Sequence, residues 1–133
     1  MIKFTYLSKG LNALARAHQM SAMAGHLGAS LVAGYFVGEL RPDLDPEVCK
    51  GIEGDLERVM RGESVFGKKM TKSAKIEDSE LFAPFPNQKP DETLIDGIAE
   101  ALEKSIDQPR ESGHNVIFAS LAIRALKEHP EFS

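Results

Sequence analysis

Hydrophobic positions recur at helical spacing along the chain, and residues that start or stop helices divide them into blocks. Residues 3–40 are rich in Ala, Leu and Met and contain no proline before Pro42, which is typical of helix. Gly25 and Gly28 predict a break in this stretch because each glycine weakens a helix interior by about 1 kcal/mol. Asp45 then predicts a helix cap, with Pro46 as the first helical residue.

The next blocks alternate between amphipathic and irregular sequence. An apolar stripe follows Asp45 and ends at Gly62, a typical helix terminator. The stripe comprises Val48, Ile52, Leu56, Val59 and Met60. Residues 62–90 read as a long irregular insert because prolines cluster near its end, although Phe82 and Phe85 indicate that this part packs against something.

Two further helices are predicted after the insert. Asp91 caps the first, which carries Leu94 and Ile98 on one side and is closed by Pro109. The second covers about residues 114–127 and is apolar nearly all round. A helix of that kind is expected to be buried on most sides.

Composition narrows the class of protein. The 133 residues suit one domain, and 42% hydrophobic with 27% charged residues excludes a disordered or fibrous chain. A net charge of −4 argues against nucleic acid as a partner. The single Cys49 excludes an intrachain disulfide and a Cys-based zinc site.

Targeting signals are not evident in the sequence. The N-terminal residues lack the features of a signal peptide, so we expect a cytoplasmic protein. Residues 20–38 are long enough to cross a bilayer and contain His26 as their only ionisable group. Their apolar content is mostly Ala and Gly, which partition weakly into lipid, so a buried helix is the better interpretation and no membrane association is predicted.

An internal repeat is the most informative feature. His26 and His114 each follow a glycine, and each is followed 16 positions later by a proline, Pro42 and Pro130. A second correspondence, displaced by 46 positions, relates Asp45 to Asp91 and the Gly-Ile-x-x-x-Leu-Glu segments that follow them. A weaker third copy surrounds Gly10.

The two patterns differ in amphipathicity. The Gly-Ile segments are amphipathic and are predicted to form outer helices, whereas the Gly-His segments are apolar and are predicted to form inner ones. Alternation of the two predicts an all-α domain of antiparallel helical hairpins. Because the second Gly-His block has no outer helix after it, we expect either a fragment of a longer repeat protein or closure of the core by homo-oligomerisation.

This alternation resembles the hairpins of α/α-toroid proteins, such as terpenoid cyclases, lanthionine cyclases and six-hairpin glycosidases. The resemblance is architectural, covers two or three hairpins and includes no family motif. It implies a toroid or solenoid fragment with a site near the inner-helix starts and their loops.

Candidate functional residues follow from the repeat. His26 and His114 occupy equivalent positions and could face one cavity as general bases or hydrogen-bond donors, although a histidine at a helix start more often bonds to the backbone. Tyr35, Glu39 and Glu111 are candidate ligand-binding residues. No metal site and no cofactor are predicted.

Two functional hypotheses remain open. One is an enzyme segment that acts on a small or saccharide-like ligand, with His26, His114 and the insert at the cavity mouth. The other is a non-catalytic helical scaffold for protein–protein interaction.

Overall fold

The structure is a computed structural model that describes residues 1–21, 24–63, 76–86, 89–91, 93–107 and 113–132. Within these residues the regular structure is entirely helical, so the prediction of an all-α protein is confirmed. The helices are α1 (Thr5–Met20), α2 (Gly25–Leu40), α3 (Pro46–Met60), α4 (Asp78–Leu81), α5 (Thr93–Glu103) and α6 (His114–Glu128), followed by a 3₁₀ turn at Pro130–Phe132.

The chain divides into two compact units, Met1–Pro84 and Phe85–Ser133. The single repeat domain stays a prediction. Unit 1 contains α1 to α4, and unit 2 contains α5, α6 and the 3₁₀ turn. Each unit is described below by itself.

Helices α1 and α2 form an antiparallel pair that crosses at two glycines. A Cβ atom on Gly28 would lie 2.7 Å from the carbonyl oxygen of Gly10 and 2.7 Å from the backbone nitrogen of Leu14. Glycine therefore lets the two backbones approach more closely than any side chain permits. The break predicted near Gly25 and Gly28 is confirmed, because α1 ends at Met20 and α2 begins at Gly25. Gly28 itself lies inside α2, where its small size serves helix packing.

Helix α2 is the central element of unit 1. It packs against α1 on one side and against α3 on another, where a Cβ on Gly34 would meet the side chain of Leu56 at 2.9 Å. Leu31 and Val32 of α2 are completely buried. The prediction that the first Gly-His block forms an inner helix is confirmed for these positions.

Local capping follows the predicted chemistry. The carboxylate of Asp45 accepts a hydrogen bond from the backbone N–H of Glu47 at 2.7 Å, and Pro46 begins α3. At the equivalent place before α5, Asp91 accepts from the N–H of Thr93 at 3.0 Å. Gly62 follows α3 with φ of 85°, as expected of a terminating glycine.

The described part of the insert contains a short helix that the sequence does not predict. In α4, the side chains of Glu77 and Glu80 cap the backbone reciprocally. Leu81 and Phe82 are buried, α4 packs against α1, and Arg16 of α1 donates a hydrogen bond to the carbonyl oxygen of Ala83. Residues 82–86, 89–91 are non-helical, as their prolines predict; residues 64–75 and 87–88 lie outside the described part.

The two Gly-His blocks end in the same turn. Arg41 and His129 terminate α2 and α6 with φ/ψ of −128°/71° and −132°/70°. Three residues later, the N–H of Leu44 donates to the carbonyl of Arg41 at 3.1 Å, and the N–H of Phe132 donates to that of His129 at 3.2 Å. The two copies of the repeat therefore share the same backbone conformation at their C-terminal ends.

The burial predicted for α6 is wrong at several positions. Its fully buried residues are Ala125 and Leu126, whereas Val116 and Ile117 are 47% and 53% exposed. An apolar sequence is covered only where a neighbouring element reaches it, and within unit 2 the long neighbour of α6 is α5.

Candidate functional site

His26 lies in the first turn of α2, where the sequence analysis places it. The side chain is half-buried and its Nε2 atom is buried. Its backbone carbonyl accepts a hydrogen bond from the hydroxyl of Ser30 at 2.7 Å, one turn later. The imidazole of His26 is therefore partly covered at the start of α2, and its predicted catalytic role remains a prediction.

Tyr35 and Glu39 form a pair on α2. Tyr35 is buried, and its hydroxyl donates a hydrogen bond to the carboxylate of Glu39 at 3.1 Å. The Tyr35 ring contacts Phe4 edge-on, with centroids 5.7 Å apart. The structure thus brings together two of the predicted ligand-binding residues, one turn apart and in contact through a single hydrogen bond.

A polar link between α1 and α3 was not predicted as a site. The hydroxyl of the buried Tyr6 donates to the Glu57 carboxylate at 2.8 Å, and the backbone N–H of Lys3 donates to Glu53 at 2.9 Å. Burial, together with the hydrogen bond to Glu57, raises the pKa of Tyr6 well above its ordinary value. Glu53 and Glu57 are four residues apart on α3, a spacing that could have indicated a shared face.

His114 begins α6 after Gly113, whose φ of 87° is the left-handed conformation that favours glycine. The imidazole lies against the ring of Phe118, with centroids 5.9 Å apart. Glu111 lies outside the described residues. Since His26 belongs to unit 1 and His114 to unit 2, their predicted common cavity remains a prediction.

Next to His114, one hydrogen bond joins the end of α5 to the start of α6. The side-chain amide of Asn115 donates to the hydroxyl of Ser105 at 3.0 Å, and that hydroxyl donates to the carbonyl of Leu102 at 2.8 Å. Ser105 and Asn115 are both half-buried. The junction of the α5–α6 hairpin is therefore held by side chains and not by loop backbone alone.

Large aliphatic side chains flank this junction and are exposed. Ile106 follows Ser105 and is 74% exposed, while Val116 and Ile117 follow Asn115. We call these three residues the hairpin patch. Helix α5 contributes no fully buried residue, although its apolar positions lie on one face. The hairpin therefore leaves apolar surface in contact with water.

Comparisons with known proteins give no assignment. No protein-family model matches the chain, and no curated protein or solved structure matches it either. Among the described helices, none combines the length and apolar character needed to span a bilayer.

Proposed function

We propose that this protein is a non-catalytic helical scaffold that binds an amphipathic helix of another protein through the hairpin patch. The observation that carries the proposal is the exposure of Ile106, Val116 and Ile117 beside the hydrogen-bonded pair Ser105 and Asn115. Exposed aliphatic side chains grouped at one place are typical of protein-binding surfaces. The Ser105–Asn115 hydrogen bond holds the two chain segments in place before binding, which reduces the entropy lost on association.

The scaffold hypothesis is favoured over the cavity-enzyme hypothesis by the surroundings of the candidate catalytic residues. His26 has a buried Nε2, His114 lies against Phe118, and the Tyr35 hydroxyl bonds to Glu39. Each of these arrangements can stabilise the fold without any catalytic role.

The test uses a photoreactive amino acid in place of Ser120, which is exposed one turn after the patch, in the full chain and in cells that make it. We expect a covalent adduct with a partner protein, and we expect Ile117→Lys to abolish that adduct. A photoreactive residue at the exposed Asp55 of α3 is the matched control and should give no such adduct. The partner, once identified and purified, should bind Ile117→Lys at least about tenfold more weakly than the unsubstituted chain.

Two outcomes contradict the proposal. An adduct that survives Ile117→Lys would show that the patch does not bind the partner. Replacement of both His26 and His114 by alanine gives the second readout: loss of a small-molecule ligand or activity, with unchanged melting temperature, would favour the enzyme hypothesis. A lower melting temperature with no ligand found would agree with a packing role.

A further inference from the structure

A second apolar surface lies on α2, on the side that neither α1 nor α3 covers. Ser30, Ala33, Val37 and Leu40 follow one another at spacings of three, four and three residues, which places them on one face of the helix. Val37 and Leu40 are 44% and 63% exposed, Ala33 is exposed and Ser30 is half-buried. We call these four residues the α2 stripe.

The α2 stripe carries no charge. Its single polar side chain, Ser30, donates its hydroxyl to the carbonyl of His26, so the hydroxyl is already satisfied within the helix. Covering the stripe therefore removes apolar surface from water without breaking an ion pair or leaving a polar group unpaired.

The sizes of the side chains indicate what covers it. The residues near the N-terminus of the stripe are small (Ser30 and Ala33), and those near its C-terminus are larger (Val37 and Leu40). We infer that the stripe pairs with the α2 stripe of a second copy of this chain, antiparallel and about a two-fold axis. In the register that aligns heptad positions, Val37 meets Ala33 of the partner and Leu40 meets Ser30 of the partner, so that each large residue faces a small one.

The ends of α2 favour the same orientation. The first turn of α2 has no acidic residue and its last turn has no basic one, and Arg41 at the C-cap is paired with Asp43. Glu39 adds a negative charge to the last turn. An antiparallel partner brings the negative end of each α2 beside the positive end of the other, whereas a parallel partner places like ends together.

This inference goes beyond the proposed function and is independent of it, because the α2 stripe belongs to unit 1 and the hairpin patch to unit 2. Each surface can therefore be substituted separately. Loss of self-association with retained partner binding, or the reverse, identifies which of the two proposals has failed.

The first experiment measures the dimerisation constant of the full chain by sedimentation over a range of concentrations. We expect a dimer that Val37→Lys weakens by about a hundredfold, because the substituted residue occurs twice in a two-fold interface. Val48→Lys is the matched control, since Val48 of α3 is exposed to a similar extent (47%) and lies off the stripe. Far-ultraviolet circular dichroism confirms that both variants are folded.

The second experiment tests the register of the two helices by exchanging a small and a large side chain. Ala33→Val and Val37→Ala should each weaken the dimer by about tenfold, the first by overpacking and the second by lost contact. The double variant should return to within about threefold of the unsubstituted chain, because a large residue again faces a small one. Three results would each overturn the inference. The first is a chain that is monomeric at every concentration, and the second is an equal effect of Val37→Lys and Val48→Lys. The third is additive weakening in the double variant.

Discussion

Helices α2 and α6 are formed by the two copies of the Gly-His block. Comparing them shows which structural features depend only on residues close in sequence. Both end in the same turn, and in each the C-cap side chain approaches the acidic residue two positions on: Arg41 forms an ion pair with Asp43 at 2.9 Å, and His129 Nδ1 lies 3.7 Å from the Glu131 carboxylate. A proline after the last helical turn dictates this ending whatever surrounds it. Burial differs between the two helices because it depends on neighbours.

The equivalent positions Gly28 and Val116 make this difference concrete. Gly28 contacts the backbone of α1, where no Cβ fits, whereas Val116 on the second copy is nearly half exposed. One block has two long helices packed against it within its unit and the other has one. The same sequence pattern thus gives a tightly packed helix in unit 1 and a half-covered one in unit 2.

The largest expected effect comes from exchanging these two residues. Gly28→Val places a side chain against the carbonyl of Gly10, so α1 and α2 must separate, and we expect the free energy of unfolding to fall by more than about 3 kcal/mol. Val116→Gly loses some helix propensity and the partial burial of one side chain, together about 1–2 kcal/mol. Urea denaturation followed by circular dichroism measures both, and equal losses would contradict the contrast between the two helices.

The sequence predicts the parts of the fold that depend on short-range chemistry. The Asp45 and Asp91 caps, the Gly62 terminator and the repeated proline turn each involve residues within a few positions of one another. The role of Gly28 was not predictable, because a packing glycine and a helix-breaking glycine look identical until the partner helix is known.

The candidate site was predictable to a smaller extent. The proximity of Tyr35 to Glu39 follows from their i,i+4 spacing, but the Tyr6–Glu57 hydrogen bond joins residues from different helices. Helical periodicity in the Gly-Ile segments indicates which face is apolar. It does not indicate which charged residue at the edge of that face reaches a buried hydroxyl.

Removing the Tyr6–Glu57 hydrogen bond should have the next largest effect on the free energy of unfolding, and this effect should depend on pH. Tyr6→Phe removes a hydrogen bond to a carboxylate, so we expect a loss of about 2 kcal/mol at neutral pH. The folded-state pKa of Tyr6 is raised above the unfolded value of about 10. The stabilisation is therefore complete below pH about 10 and is lost as the pH rises further, because only the unfolded state then releases the proton.

Urea denaturation of both chains at neutral and alkaline pH tests this expectation. The unsubstituted chain should lose more stability than Tyr6→Phe as the pH rises through about 10, since Tyr35 is present in both chains and its contribution cancels in the difference. Parallel pH profiles would show that Tyr6 has no raised pKa.

The repeated caps should give smaller and similar effects. Asp45→Ala and Asp91→Ala each remove one side-chain acceptor from a helix start, which costs about 1 kcal/mol. Hydrogen exchange should become faster in the first turn of α3 for one variant and of α5 for the other. Asp55→Ala, an exposed mid-helix change on α3, is the control and should leave these first-turn rates unchanged.

The smallest expected changes in the free energy of unfolding come from the repeated glycines, whose surroundings differ. Gly51 of α3 and Gly97 of α5 occupy equivalent positions, and a Cβ on either would have no atom within 4 Å. Alanine at each should raise the free energy of unfolding by about 0.5–1 kcal/mol, because it restricts the unfolded chain and fits the helix. Gly10, placed by the sequence in a third copy of the same pattern, should respond in the opposite direction, because its Cβ would lie 2.8 Å from Val32 Cγ2 and 2.9 Å from the Gly28 carbonyl oxygen. If Gly10→Ala also stabilised the protein, the close crossing of α1 and α2 would not be what keeps glycine there.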